Sequence, residues 1–536
     1  MRFTFLFRLT KGISFLAFIL LLPLSGQSQD LIPFVDLHNY GATKAFTSRH
    51  TTKVSVWEHI EHDCSFNFGR DFVDAYADMA KQSQANFESM VKAKAPFTCL
   101  SYEPYEKPYL KSGYIKPSQL KGTLSCLSGM VAVDAIAYVQ DIDYFSDFIG
   151  FYNYLKGQAF VSHNIFGENY GFSIVSNKDK LRETINDPSQ LGVVLTITGG
   201  HTLGNSIFIE NGLTEKEDYH NLVLNNILRL KGSLPLIENT MEYMAHPVLF
   251  IKLASNFPNG ICGSARSLNK DQEKLFGSAS HINKGFTNLG QAVISSTLSN
   301  SNGRRVLIDV TQMSVEARKQ FYAYVRDFRK VGDRIPIVAS HVGISGLSWD
   351  DPLYRKRDDE IKNRDSYLNH WTINLSRQDI MNIYESEGII GISLDKNLLC
   401  GNQVDVAIAN TVPGSAQQRQ IYLQAIMANI LKVVETTQNR FAWDMISIGT
   451  NFDNIIPPFP MYATAEDVPD LMYDMLKFLD NPGPVFDLYS AQDVRRLMYN
   501  YTPQEIVTKI FSSNAMEFVE KNLPDDALAR TPGSDE

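Results

Sequence analysis

Short apolar runs, many of them β-branched, recur along the chain, and each ends in small or polar residues before a stretch with helical spacing. Eight can be counted: FVDLHNY from Phe34, FTCLSYE from Phe97, GVVLTITGG from Gly192, VLFIKLAS from Val248, RRVLIDVTQ from Arg304, IPIVASHV from Ile335, GIIGISLD from Gly388 and MISIGTNFD from Met445. Near-continuous apolar runs are what parallel strands buried on both faces require. Between them, SVEARKQFYAYVRDF from Ser314, SRQDIMNIYESE from Ser376 and SAQQRQIYLQAIMANILKVVE from Ser415 read as helices, each opening on a serine able to act as N-cap. Eight strand–helix units predict an α/β fold, a (β/α)8 TIM-type barrel. The compact form of that barrel needs about 250 residues, so the chain carries long helical insertions. The largest falls at about residues 104–190, where YVQDIDYFSDFIGFYNYLKG reads as helical cover, and 524–536 reads as a flexible tail.

Charge and the N-terminus narrow the picture. Arg2, Arg8 and Lys11 precede the apolar run ISFLAFILLLPL, and Gly26 and Ser28 offer small residues for cleavage. Residues 1–28 thus predict a secretory signal peptide, leaving a barrel over 29–523. The run is too short to span a bilayer comfortably, so no stable membrane span is expected after cleavage. Its removal takes away three positive charges and no negative one, so the formal charge goes from −9 to −12. An acidic exported protein, periplasmic, cell-surface or extracellular, is a poor partner for nucleic acid. Cys64, Cys99, Cys126, Cys262 and Cys400 show no metal-binding spacing and predict mainly buried thiols. NGICGSARS lacks the P-loop lysine, and GISGLSW lacks the strand–turn–helix context of a serine nucleophile.

Barrel chemistry collects at the C-terminal ends of the strands. The runs deliver Asp36, His38 and Tyr40 from the first, Thr198 and His201 from the third, and Ser255 and Asn256 from the fourth. The later runs deliver Asp309, Thr311 and Gln312, then Ser340 and His341, then Asp395, then Asn451 and Asp453. A metal hydrolase needs several ligands converging on the ion and a carboxylate to take a proton from metal-bound water. Histidines and aspartates are present at this rim, but they make no complete metal set.

Six segments also resemble the motifs of one family, in order. FVDLHNYGATKAF is similar to the first-strand motif of the membrane (renal) dipeptidases, peptidase family M19 of the metal-dependent hydrolase superfamily, and LTITGGHTLGN to its I-E-G-G-H-S segment. RRVLIDVTQMS resembles V-D-L-S-H-V-S, PIVASHVG resembles P-V-I-F-S-H-S, ISIGTNFDN resembles V-G-I-G-S-D-F-D-G, and SSNAMEFVEKNL resembles the final helix. The resemblance spans Phe34 to about Leu523. It implies a centre of two zinc ions, held by a first-strand histidine, a ligand two residues on, a bridging glutamate on the third strand, and histidines on strands five and six. His38 and His341 match that pattern. Tyr40, Thr198 and Gln312 stand at the other three ligand positions, Asn451 at the catalytic aspartate, and Ser255 at a substrate-binding histidine.

These replacements share a direction, since all are neutral. Without a bridging carboxylate, two cations held close together repel with nothing negative between them. Asparagine can orient a water but cannot accept its proton near neutral pH. A divergent member is therefore expected, catalytically degenerate, with a pre-formed pocket at Ser255 and Asn256 that binds a small peptide-like or other ligand (a peptide, glycan or protein) or serves a structural role, and with no cofactor. The alternative is a hydrolase of dipeptides or related amides with a rebuilt site, one zinc or other divalent metal held by His38, His341 and either His201 or Asp453. Homodimerisation enters through the resemblance alone.

Overall fold

The computed structural model describes residues 32–48, 54–61, 82–110, 141–232, 244–267, 281–301, 303–351, 366–454 and 458–525. The leader, Cys64 and Cys126, part of the large insertion and the last residues of the tail lie outside these ranges. All eight apolar runs form strands. In chain order the strands are β1 (Asp36–Asn39), β2 (Phe97–Tyr102), β3 (His163–Ile165), β4 (Glu168–Ile174), β5 (Gln190–Thr198), β6 (Val248–Lys252), β7 (Leu307–Asp309), β8 (Val338–Val342), β9 (Ile389–Ile392) and β10 (Ile446–Ile448). The path β1-β2-β5-β6-β7-β8-β9-β10 is parallel throughout. Closure comes just past the strand ends, where Asn451 N–H donates to the His38 carbonyl at 2.9 Å and Tyr40 N–H to the Phe452 carbonyl at 2.9 Å. Burial on both faces, seen along the strands of that path, is what the unbroken apolar runs require.

The helix N-termini follow the serines. Ser314 accepts from Ala317 N–H, Ser415 accepts from Gln418 N–H, and Ser376 forms a reciprocal capping box with Asp379. The insertion before β5 departs from an all-helical cover. It supplies the helix Tyr144–Gln158, whose phenylalanines pack inward, but also the antiparallel hairpin β3–β4. Strand β4 then pairs in parallel with the first half of β5, on the edge that β6 takes over further along. Cys99, Cys262 and Cys400 are buried thiols. No helix among the described residues is long and apolar enough to cross a membrane.

One irregularity shapes the barrel mouth. The register of β8 against β9 shifts between Ala339 and Val342. A Cβ on Gly391 or Gly449 would lie 1.9 or 1.8 Å from the Ser340 carbonyl oxygen, so only glycine admits the strand this close. Regular alternation would send Ser340 and His341 to opposite faces. The shift lets both reach the same cluster.

Candidate functional site

The Ser340 hydroxyl is the hub of the mouth. It lies 3.2 Å from His38 Nδ1 and 2.8 Å from His341 Nδ1, and it donates to Asp309 Oδ2. The other oxygen of Asp309 accepts from the backbone N–H of Thr311 at 2.9 Å and of Ser340 at 3.2 Å. A serine hydroxyl has one proton and two acceptor positions, and an ionised carboxylate can only accept. The proton therefore goes to Asp309, and both imidazoles donate Nδ1–H to Ser340, which saturates it. The two rings stack with centroids 4.0 Å apart, and Tyr40 meets His38 edge-on at 5.0 Å.

Burial keeps both histidines neutral, and with the proton on Nδ1 the Nε2 of His38 is a buried acceptor without a partner. Burial, reinforced by the positive charge of Lys252, holds His38 well below the ordinary imidazole range. His341 is lowered likewise, by burial, then by His38 and Lys252. Burial raises the Asp309 carboxyl. Asp36, on the same face of β1, accepts from Thr450 and from His38 N–H, and burial pushes it up to about 7.

The neutral replacements bond to one another. Tyr40 donates its hydroxyl to Thr198 Oγ1 at 3.1 Å and lies 3.3 Å from Glu103 Oε2, while Ser101 and Thr198 share a 2.7 Å hydroxyl contact. Burial and the neighbouring Glu103 keep the Tyr40 phenol well above its usual range. Gln312 accepts from Lys252 Nζ and donates to Asn256 Oδ1 at 3.0 Å. Asn451 Oδ1 accepts from Asn454 at 3.2 Å. Gln312, Asn451 and Asp453 all have positive φ, between 62° and 64°, where side chains other than glycine are strained. Ser255 is spent on its own loop, donating to the Phe257 carbonyl and accepting from Asn259.

The two candidate third ligands, His201 and Asp453, do not join His38 and His341. Asp453 accepts from Lys44 Nζ at 2.7 Å and from the backbone N–H of Gln84 and Ala85, in an ion pair with side chains 4% and 1% exposed. It ties the loop after β10 to the segment before the helix Phe87–Lys92. Asp309 instead completes a triad with the two histidines, their potential ligand atoms within 4.8 Å of one another. Yet Ser340 Oγ bonds to Asp309 Oδ2 and to Nδ1 of both rings, so the meeting point of those three atoms carries a hydroxyl. A cation there must displace it. With Thr198 for the bridging carboxylate and Tyr40 and Gln312 already paired, these residues do not fit the pair of zinc ions that the motif resemblance implies.

His201 belongs to a second cluster, with Glu103 and Glu106, again with ligand atoms within 4.8 Å of one another. Both glutamates follow β2 and escaped the pattern of strand-end histidines. Glu106 accepts from the backbone N–H of Asn256 and Phe257, each at 3.0 Å, and burial, then Glu103, pushes it up to about 8. Burial lowers His201. Lys252 is the other residue passed over: a lysine ending an apolar run, it is 2% exposed and faces both clusters electrostatically.

No family model and no curated relative matches the chain. Among solved structures it is similar to a metallopeptidase from Rhodobacter sphaeroides liganded with a phosphinate mimic of the dipeptide L-Ala-D-Ala. That likeness has TM-score 0.48 and 12% identity, over 92% of this chain and 100% of that one. A dipeptidase described as a family M19 metallopeptidase gives TM-score 0.46 and 11% identity over 92% and 99% of the two chains. A probable dipeptidase from Pseudomonas aeruginosa gives 0.42 and 14% over 82% and 89%. At these values the likeness carries nothing about which residues act.

Proposed function

We propose that the chain is an exported, M19 dipeptidase-like barrel protein that lacks the family's two-metal chemistry and binds a small peptide-like ligand at its rim. The observation that carries this reading is the Ser340 hub, which occupies the meeting point of His38 Nδ1, His341 Nδ1 and Asp309 Oδ2. The rim supports it. Gln312 and Asn256 offer amide groups and Lys252 a positive charge, a set suited to a peptide unit and a terminal carboxylate. Export rests on the leader pattern in residues 1–28.

The test combines zinc stoichiometry with dipeptide hydrolysis, for the wild type and for the quadruple variant Tyr40→Asp, Thr198→Glu, Gln312→His, Asn451→Asp. The wild type is expected to show no hydrolysis with zinc or manganese and no paired metal. A wild type that takes up two equivalents and cleaves dipeptides sinks the reading. The second reading, hydrolysis at a single metal, is favoured by one feature only, the cluster around His201.

A further inference from the structure

The cluster around His201 differs from an ordinary buried group of polar residues in what it leaves unpaired. His201 Nε2 lies 2.8 Å from the Pro104 carbonyl oxygen, and a carbonyl can only accept, so this nitrogen carries the ring proton. Nδ1 is then a bare lone pair. It is buried and has no hydrogen-bond partner, in a residue only 2% exposed. Glu103 Oε1 is the second such atom, buried and without a partner while Oε2 faces the Tyr40 hydroxyl. A buried lone pair with nothing to accept from costs about 1–3 kcal/mol, and two of them lie side by side.

The backbone lets them come together. Gly199 has φ +82°, and a Cβ there would lie 2.4 Å from His201 Nδ1 and 3.4 Å from Glu103 Oε1. Both unpaired atoms thus lie on the side of Gly199 where any other residue would carry a Cβ, and only glycine lets the imidazole pack this close. The third group, Glu106, is buried and fixed by the backbone of Asn256 and Phe257, one N–H to each of its oxygens. The edge of the Tyr144 ring, at 5.0 Å between centroids, holds the imidazole in place.

We infer that Glu103, Glu106 and His201 form a site for one divalent cation of the zinc class, distinct from the His38–His341 pair. Imidazole donating its far N–H to a backbone carbonyl is the arrangement that orients a histidine ligand. Two carboxylates and a neutral imidazole balance a divalent charge, and the nitrogen donor favours zinc-like ions over calcium or magnesium. Zinc ligands about 2.0–2.2 Å from the ion stand roughly 3.3–3.6 Å apart, so the cluster, with its ligand atoms within 4.8 Å of one another, contracts on binding. Three protein ligands leave a fourth position open. The site uses none of the positions that the dipeptidase motifs assign to metal.

The experiment is calorimetric titration of the chelator-stripped mature protein with Zn2+, with Co2+ absorption as a second readout. One equivalent is expected for the wild type. Glu103→Gln keeps the shape of the side chain and is expected to weaken binding by roughly 100-fold or more, beyond what outer-sphere changes give, and to abolish the Co2+ ligand-field bands. His201→Ala should do the same, though it also orphans the Pro104 carbonyl, so Glu103→Gln is the decisive variant. His38→Ala should leave stoichiometry and spectrum unchanged. The inference is overturned if the wild type takes up no Zn2+, or if Glu103→Gln binds as the wild type does. It is equally overturned if His38→Ala is the variant that loses the ion.

Discussion

Around His38, one hydroxyl closes the hydrogen bonds of two imidazoles and a carboxylate onto itself; around His201, no described group takes that place. Both clusters combine histidine with carboxylate, and both have ligand atoms within 4.8 Å of one another. Proximity of ligand types therefore does not separate a metal site from a structural one. The difference lies in what stands between the ligand atoms: Ser340 Oγ bridges three groups of the first cluster, although His38 Nε2 stays unpartnered, whereas no described group bridges His201 Nδ1 and Glu103 Oε1. Lys252 acts on both electrostatically, so the two clusters share one field while differing in what their centres hold.

Removing structural pairs should hurt folding without touching metal. Asp453→Ala leaves Lys44 buried without its partner, and breaking such a pair costs about 3–5 kcal/mol. Chemical denaturation is expected to show that loss, while zinc stoichiometry stays at the wild-type value. An unchanged midpoint would mean that the carboxylate is not the anchor described above.

Ser340→Ala exchanges the two behaviours. It strips His38, His341 and Asp309 of their shared partner at a cost of about 3 kcal/mol or more, since each buried group left unpaired costs about 1–3 kcal/mol. It also empties the point where the three converge, so added zinc should raise the melting temperature of this variant more than that of the wild type. No such difference would show that the hub is not what keeps a cation out. Gly199→Ala works from the other side. A Cβ at φ +82° meets the His201 ring at 2.2 Å, so a loss of about 1–3 kcal/mol should come with loss of the zinc equivalent, read by calorimetry.

The smallest expected effect is in pH. The Glu106 carboxyl stands at about 8 in the folded protein against an ordinary value of 4.5, so the folded state holds a proton that the unfolded chain has released. Stability from this group is full below about 4.5 and is lost as pH rises through 8. The buried histidines act oppositely, but only below their ordinary 6.5. Between about 6.5 and 8, zinc-free protein should therefore lose at most about 1.4 kcal/mol per pH unit from this group. Asp36 adds to the lower part of that window, with its carboxyl at about 7. Glu106→Gln should flatten the slope in urea titrations; a slope that persists assigns it elsewhere.

The barrel was legible because its signal is local. Runs such as GVVLTITGG and GIIGISLD carry burial on both faces in their composition, and the caps at Ser314, Ser376 and Ser415 are short-range. Strand β4 was not, since ENYGFSI is half-exposed and lacks a continuous apolar run. At the site, the motif positions of His38, His341, Tyr40, Thr198 and Gln312 could be named from spacing, but their partners could not. Asp453 looks like a spare ligand until Lys44, 409 positions away, is seen beside it. The role of Ser340 depends on a shift in β8 that no pattern of residue types encodes. Glu103 and Glu106 become visible only once the chain is folded against Gly199 and His201.

Anomalous diffraction from crystals of the zinc-loaded wild type tests the contrast between the clusters most directly. One peak is expected, between Glu103, Glu106 and His201, with no density for an ion at Ser340. A pair of peaks flanked by His38 and His341 would contradict it.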